Sequence, residues 1–190
     1  MCMKKLFLTL LFIGAIFTNI DAQNNIKKNE NSFIKDRISF NIGGGYNSRP
    51  SYYEYDRIVM SFEGLYGFNN WLEAGAYFSY LTESFVNTYY CEPGRVNVLD
   101  YGLKGRAHIL PLIIKPSFYM VDIYGNLEVG GHSVFYRNRM GMNIDNNTQF
   151  CVNAGGGIGF NFNKFFGIFY ECNYSNIYKL NHRYGFMFRF

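Results

Sequence analysis

From residue 37 to the end of the chain, apolar and polar side chains alternate. Ile38, Phe40, Ile42 and Tyr46 alternate with Ser39, Asn41, Gly43, Gly45 and Asn47. The same period of two recurs over 58–68, 72–80, 99–109, 119–129, 149–162, 166–174 and 183–190. Successive side chains of a strand point to opposite faces, so the pattern predicts strands with one apolar and one polar face. Eight strands follow from it. Most reach the roughly 9–11 residues that a tilted strand needs to cross a bilayer. No stretch beyond the first 22 residues approaches about 18 consecutive apolar residues, so no transmembrane helix is predicted.

The connections fall into two kinds that alternate along the chain. Asn69-Asn70 and Asn163-Lys164 read as tight turns, whereas 48–56, 82–97, 132–147 and 175–182 read as longer polar loops. Outer-membrane barrels have short periplasmic turns and long external loops. The link at 110–117 is the exception, because Leu110-Pro111-Leu112-Ile113-Ile114 is too apolar for an ordinary turn. Two readings stay open for it: an extension of the flanking strands, or a segment dipping into the membrane interface.

The amino terminus changes the picture from a β-protein to an exported one. Lys4 and Lys5 precede a mostly apolar run from Leu6 to Ile20, and Ala22-Gln23 offers a small-residue cleavage junction. This is the layout of a secretory signal peptide. The expected organisation is a signal peptide over 1–22, a polar periplasmic lead-in over 23–36, and a barrel over 37–190.

Composition agrees with this class. Charged residues make up 17% of the chain and aromatics 20%, against about 25% charged residues in soluble domains. The net charge of +4 is mild and is not gathered into a basic patch, which argues against nucleic acid. The mature chain keeps Cys91, Cys151 and Cys172. An odd number of cysteines makes no disulfide framework, and whether any two of them pair is left open.

The polar face carries Glu63, Glu73, Asp100, Lys104, Arg106, Asp122, Glu128, Glu171, Arg183 and Arg189. In an eight-stranded barrel this face points inward, where the space is just wide enough to be filled by side chains. Unpaired charges are too costly there. The expectation is a paired, hydrogen-bonded charge network. Gly on the inner face leaves room for Tyr77, Tyr124 and Phe169. Tyr46, Tyr80, Tyr174 and Tyr184 are predicted near the outer ends of strands, and Phe68, Trp71, Phe162, Phe165 and Phe190 near the inner ends. These would form the two aromatic girdles of a membrane barrel. A soluble lipocalin-like barrel, the rival fold, has no need of aromatics at strand tips.

Candidate chemistry is sparse. Gly43-Gly44-Gly45 and Gly155-Gly156-Gly157 do not lead from a strand into a helix, so they lack the setting of a phosphate-binding loop. His132-Ser133, with Glu128 upstream, has the residue types of a hydrolase triad, but a triad is defined by geometry. Chance adjacency is the expected explanation. His108 is predicted inward beside Arg106 as a hydrogen-bonding core residue. The His and Cys spacings fit no metal site. No catalytic residue, cofactor or metal is expected.

The ending Arg183-Tyr184-Gly185-Phe186-Met187-Phe188-Arg189-Phe190 resembles the last strand of outer-membrane barrels, which closes on a C-terminal Phe. Residues 37–190 resemble the small outer-membrane β-barrel domain proteins of Bacteroidota, in the style of the OmpA transmembrane domain and OmpX. The stretches Tyr101-Gly102-Leu103-Lys104-Gly105 and Gly155-Gly156-Gly157-Ile158-Gly159-Phe160 add to the likeness. The resemblance implies an all-β, eight-stranded antiparallel transmembrane up-and-down barrel in the outer membrane. It also implies that Tyr184, Phe186, Phe188 and Phe190 are an assembly signal read by the barrel-assembly machinery. The expected partners are outer-membrane lipid and a surface ligand or protein held by the loops, to which Tyr52, Tyr53, Tyr55, Tyr89 and Tyr90 belong. A structural or surface-interaction role is expected. A narrow channel and a lipid-modifying enzyme are the alternatives.

Overall fold

The alternation resolves into a closed barrel in which each strand pairs with its neighbours in sequence. The computed structural model describes residues 34–48, 57–87, 92–114, 120–137, 143–177 and 179–190. The strands are β1 (Ile38–Ser48), β2 (Arg57–Gly67), β3 (Leu72–Asn87), β4 (Glu92–His108), β5 (Val121–Arg137), β6 (Asn143–Asn161), β7 (Phe166–Ser175) and β8 (Leu180–Arg189). All pairs are antiparallel, and β8 returns to β1 with Ser39 opposite Arg189. A short helix α1 (Leu110–Ile113) links β4 to β5. No helix among the described residues is long and apolar enough to cross a membrane. The expected signal peptide, Cys91 and the loop tyrosines Tyr52, Tyr53, Tyr55, Tyr89 and Tyr90 lie outside the described residues.

Closure removes the exposed edges that an open sheet would present. Along β7 burial alternates residue by residue, and the same parity runs through the barrel. The buried face is polar and the exposed face apolar, as in Glu171 and Asn173 against Ile168, Tyr170 and Tyr174.

The two predicted inner turns share one device. Asn69 Oδ1 accepts hydrogen bonds from the N–H groups of Trp71 (2.9 Å) and Leu72 (2.8 Å). Asn163 Oδ1 accepts from those of Phe165 and Phe166, each at 2.8 Å. An Asn side chain that caps the turn following it replaces backbone partners the turn cannot supply.

Two expectations are corrected. The loops placed at 82–97 and 132–147 are largely strand. β3 continues to Asn87 and β4 begins at Glu92, while β5 runs to Arg137 and β6 starts at Asn143. Polar residues such as Thr82 and Asn97 broke the apolar pattern, yet their ladder continues. Thr82 is opposite Asn97, and its Oγ1 donates to Asn97 Oδ1 at 2.9 Å. Tyr80 therefore lies within a strand, not at its tip. The residues just before β1 pack against the end of the barrel. Ile34 is fully buried, Arg37 N–H donates to its carbonyl, and Asp36 N–H donates to Gly67 O at 2.8 Å. A Cβ on Gly67 would collide with the Ile34 carbonyl. Asp36 takes the left-handed conformation (φ 61°), which Asp tolerates better than most residues.

Candidate functional site

The lumen is where the polar side chains converge. All ten charged residues predicted for the inner face are buried there. They form three tiers, stacked from the end of the β3–β4 hairpin down to the chain termini of the barrel.

The middle tier joins strands that are far apart around the wall. Lys104 on β4 donates to Glu63 Oε1 on β2 (2.5 Å) and to Glu171 Oε2 on β7 (2.6 Å), and its Nζ lies 3.1 Å from Glu128 Oε1 on β5. Arg106 spans the same Glu63 and Glu171 through one nitrogen, at 3.0 and 2.7 Å. Arg183 on β8 grips Glu128 with both terminal nitrogens, at 2.5 and 2.9 Å. Lys104, Arg106 and Arg183 thus balance the charge of Glu63, Glu128 and Glu171. Taking each ion from water costs several kcal/mol even after relaxation, and only such close pairing with further hydrogen bonds offsets it. Asn41 and Asn153 supply two of those, donating to Glu63 and Glu128 at 2.8 Å each.

Aromatic rings line this tier. Tyr124 lies under the Arg106 guanidinium, 4.4 Å from carbon to ring centroid, and Tyr77 lies under Arg183 at 5.6 Å. Both distances are in the range of cation–π attraction.

The lower tier centres on His108. Its Nδ1 is 2.8 Å from Asp122 Oδ2 and its Nε2 3.3 Å from Glu73 Oε2. Arg189 reaches the same Asp122 oxygen at 3.2 Å and donates to Asn161 Oδ1 at 2.8 Å. Ser39 Oγ donates to Glu73 Oε1 at 2.9 Å. Arg106 ties this tier to the middle one through Glu73, at 3.5 Å.

The upper tier is the pair His132 and Asp100, with Nδ1 2.5 Å from Oδ1. Above it Val59, Leu81, Val96, Val98 and Val134 pack into a buried apolar cluster. Neither feature was expected from the sequence, because Val96 and Val134 fall in the segments read as loops and His132 was considered beside Ser133. The available signal was parity, since Val96 and Val98 share the inward phase of Asp100, and Val134 that of His132. Ser133 points to the opposite face from His132 and pairs with Thr148 Oγ1 at 3.0 Å. Adjacent residues of a strand cannot face one reacting group, so His132-Ser133 makes no catalytic pair.

Glu63, Glu128 and Glu171 are the only set of His, Cys, Asp or Glu among the described residues with metal-ligand spacing, their oxygens lying within 4.8 Å of one another. The Lys104 ammonium contacts all three and stands where a metal cation would. Cys151 is buried in the lumen, Cys172 is half-buried on the outer face, and both are free thiols.

The outer wall carries the predicted girdle residues. Tyr46, Tyr80, Tyr174 and Tyr184 are exposed, as are Phe68, Trp71, Phe162, Phe165 and Phe190.

No protein-family profile and no curated protein matches the chain. Solved structures do resemble it. The attachment invasion locus protein Ail of Yersinia pestis, in complex with the heparin analogue sucrose octasulfate, aligns at a TM-score of 0.56 and 17% identity, over 83% of this chain and 100% of Ail. Neisserial surface protein A aligns at 0.57 and 8% identity, over 81% of this chain and 96% of that one. The N-terminal β-barrel domain of Pseudomonas aeruginosa OprF aligns at 0.53 and 12% identity, over 82% and 98%. A polar, charge-filled lumen inside an apolar wall of eight antiparallel strands, together with these likenesses, gives the chain the fold of the small eight-stranded outer-membrane β-barrels.

Proposed function

We propose that the chain is an integral outer-membrane barrel with a sealed lumen and a structural or surface-interaction role. It would be exported by a signal peptide over 1–22, cleaved between Ala22 and Gln23. The reversal of faces carries this reading. Phe40, Phe62, Leu103, Leu127, Ile158 and Phe186 are exposed while Lys104, Arg106, Glu128 and Arg183 are buried. Such a wall is unfavourable in water and favourable in hydrocarbon, where barrels expose apolar residues and keep polar ones inside. The three tiers and the apolar cluster above them leave the lumen packed, which supports a non-conducting barrel.

The surface role rests on the uneven height of the wall. β6 pairs with β7 only from Asn153 onward, and β2 reaches β3 only at Tyr80. Beyond these points β3, β4, β5 and β6 form a projecting sheet, and no described strand pairs with the β7 side of Asn143–Gln149. Unpaired strand edges and long hairpins are where partners dock. A sulfated glycan of the kind bound to Ail is the first ligand class to try.

Membrane fractionation with heat-modifiable gel migration tests the placement, and a protein recovered free in the periplasm would overturn it. Planar-bilayer recording tests the seal. Steady conductance would favour a narrow channel instead. Binding of the detergent-solubilised chain to immobilised heparin, compared with a variant whose β3–β4 and β5–β6 hairpins are shortened, tests the surface role. Equal retention of both would remove the projecting sheet from it.

A further inference from the structure

Helix α1 buries none of its residues. Leu112 is 63% exposed and Ile113 74%, with Ile109, Ile114 and Met120 beside them also exposed. A single helical turn has too few hydrogen bonds to persist alone and normally depends on packing of an apolar face. No acidic residue occupies its first turn and no basic residue its last, so electrostatics do not hold it either. The other two turns at this end behave differently, being closed by the side-chain caps of Asn69 and Asn163.

The position of α1 identifies what covers it. Ile109 continues the outward phase of β4 after Leu103 and Ala107, and Val121 and Ile123 continue it on β5. The helix is thus contiguous with the apolar wall. Its neighbours at this rim, Phe68, Trp71, Phe162 and Phe165, are exposed aromatics. Aromatics of this kind sit at headgroup level in barrels. An apolar segment continuous with a lipid-facing wall, at the level of its aromatic girdle, fits the boundary between headgroups and acyl chains.

We infer that α1 is an interfacial anchor, inserted into the periplasmic leaflet of the membrane that holds the barrel. This rests on the outer-membrane reading above. The anchor acts on one side only, at the β4–β5 connection, the same sector of wall that projects at the other end. It fixes the depth of that sector.

Trp71 is the only tryptophan, so a Trp71→Phe background permits single-reporter fluorescence. Ile113→Trp reports on α1, with Leu112→Trp as the second variant should the first fail to fold, and Phe62→Trp reports on the middle of the wall. Each is reconstituted in phosphatidylcholine vesicles brominated either near the headgroup or near the chain ends, with heat-modifiable migration as the folding control. The expected result is quenching of Ile113→Trp that is stronger with shallow bromines, and of Phe62→Trp that is stronger with deep ones. An unquenched Ile113→Trp beside a quenched Phe62→Trp would overturn the anchor and leave the membrane barrel standing. This includes a blue-shifted but unquenched emission, which would mean burial against a second copy. Stronger quenching of Ile113→Trp by deep bromines would overturn the interfacial depth. Loss of quenching at both positions would overturn the membrane reading itself.

Discussion

Gly157 lies directly opposite Tyr124 on the neighbouring strand, and a Cβ at Gly157 would fall 2.6 Å from the tyrosine ring. The absent side chain is what lets the ring lie in the lumen beneath Arg106. Gly43 leaves similar room, with Phe169 Cζ 3.1 Å from where its Cβ would be.

Gly157→Val should therefore displace Tyr124 and loosen its contact with Arg106. Overpacking of this kind costs about 1–3 kcal/mol. The measurement is the urea midpoint of the refolded barrel in micelles. Adding Tyr124→Ala to the Gly157→Val variant should recover part of the loss, and a double variant no better than the single one would argue against the steric account.

Arg183→Met leaves Glu128 without its bidentate partner. Removing one member of a buried pair typically costs about 3–5 kcal/mol. The double variant Arg183→Met, Glu128→Gln should be less destabilised than the sum of the single changes, with a coupling of about 0.5–3 kcal/mol. Additive effects in equilibrium unfolding would show that the pair does not act as a unit.

Lys104→Met removes the ammonium that Glu63, Glu128 and Glu171 share. The remaining carboxylates are close enough to hold a metal ion. Calcium, which takes carboxylate oxygens, should raise the unfolding midpoint of this variant and leave the wild type unmoved. A variant indifferent to calcium would show that the cluster needs the ammonium geometry as well as its charge.

Phe190 and Arg189 should separate assembly from stability. Phe190 exchanges backbone hydrogen bonds with Ile38 at 2.9 and 3.0 Å, and its ring meets Phe40 edge-on at 6.2 Å. Deleting it should reduce insertion into the membrane. Arg189→Ala should insert normally but unfold at lower urea, because Asp122 and Asn161 lose a buried cationic partner. Normal surface levels of the Phe190 deletion would count against the assembly role.

The eight strands and the two faces were legible in the sequence because side-chain direction has a period of two, and a membrane wall makes that period visible as polarity. The inward phase alone named Glu63, Lys104, Glu128, Glu171 and Arg183. It could not say which carboxylate meets which cation, since that depends on the register of strands around the closed barrel. Lys104 and Glu171 are on strands that are not neighbours, and only closure brings them to 2.6 Å. The ends of β3, β4, β5 and β6 were also hidden. Where the wall leaves the apolar phase, polar residues satisfy strand and loop alike, and the ladder of hydrogen bonds decides. Likewise His132 read as a neighbour of Ser133, yet the strand turns the two apart and gives His132 to Asp100. Composition and alternation thus determined the fold and its two faces. The tertiary structure decided the pairing inside, because contacts across a lumen have no trace in local sequence.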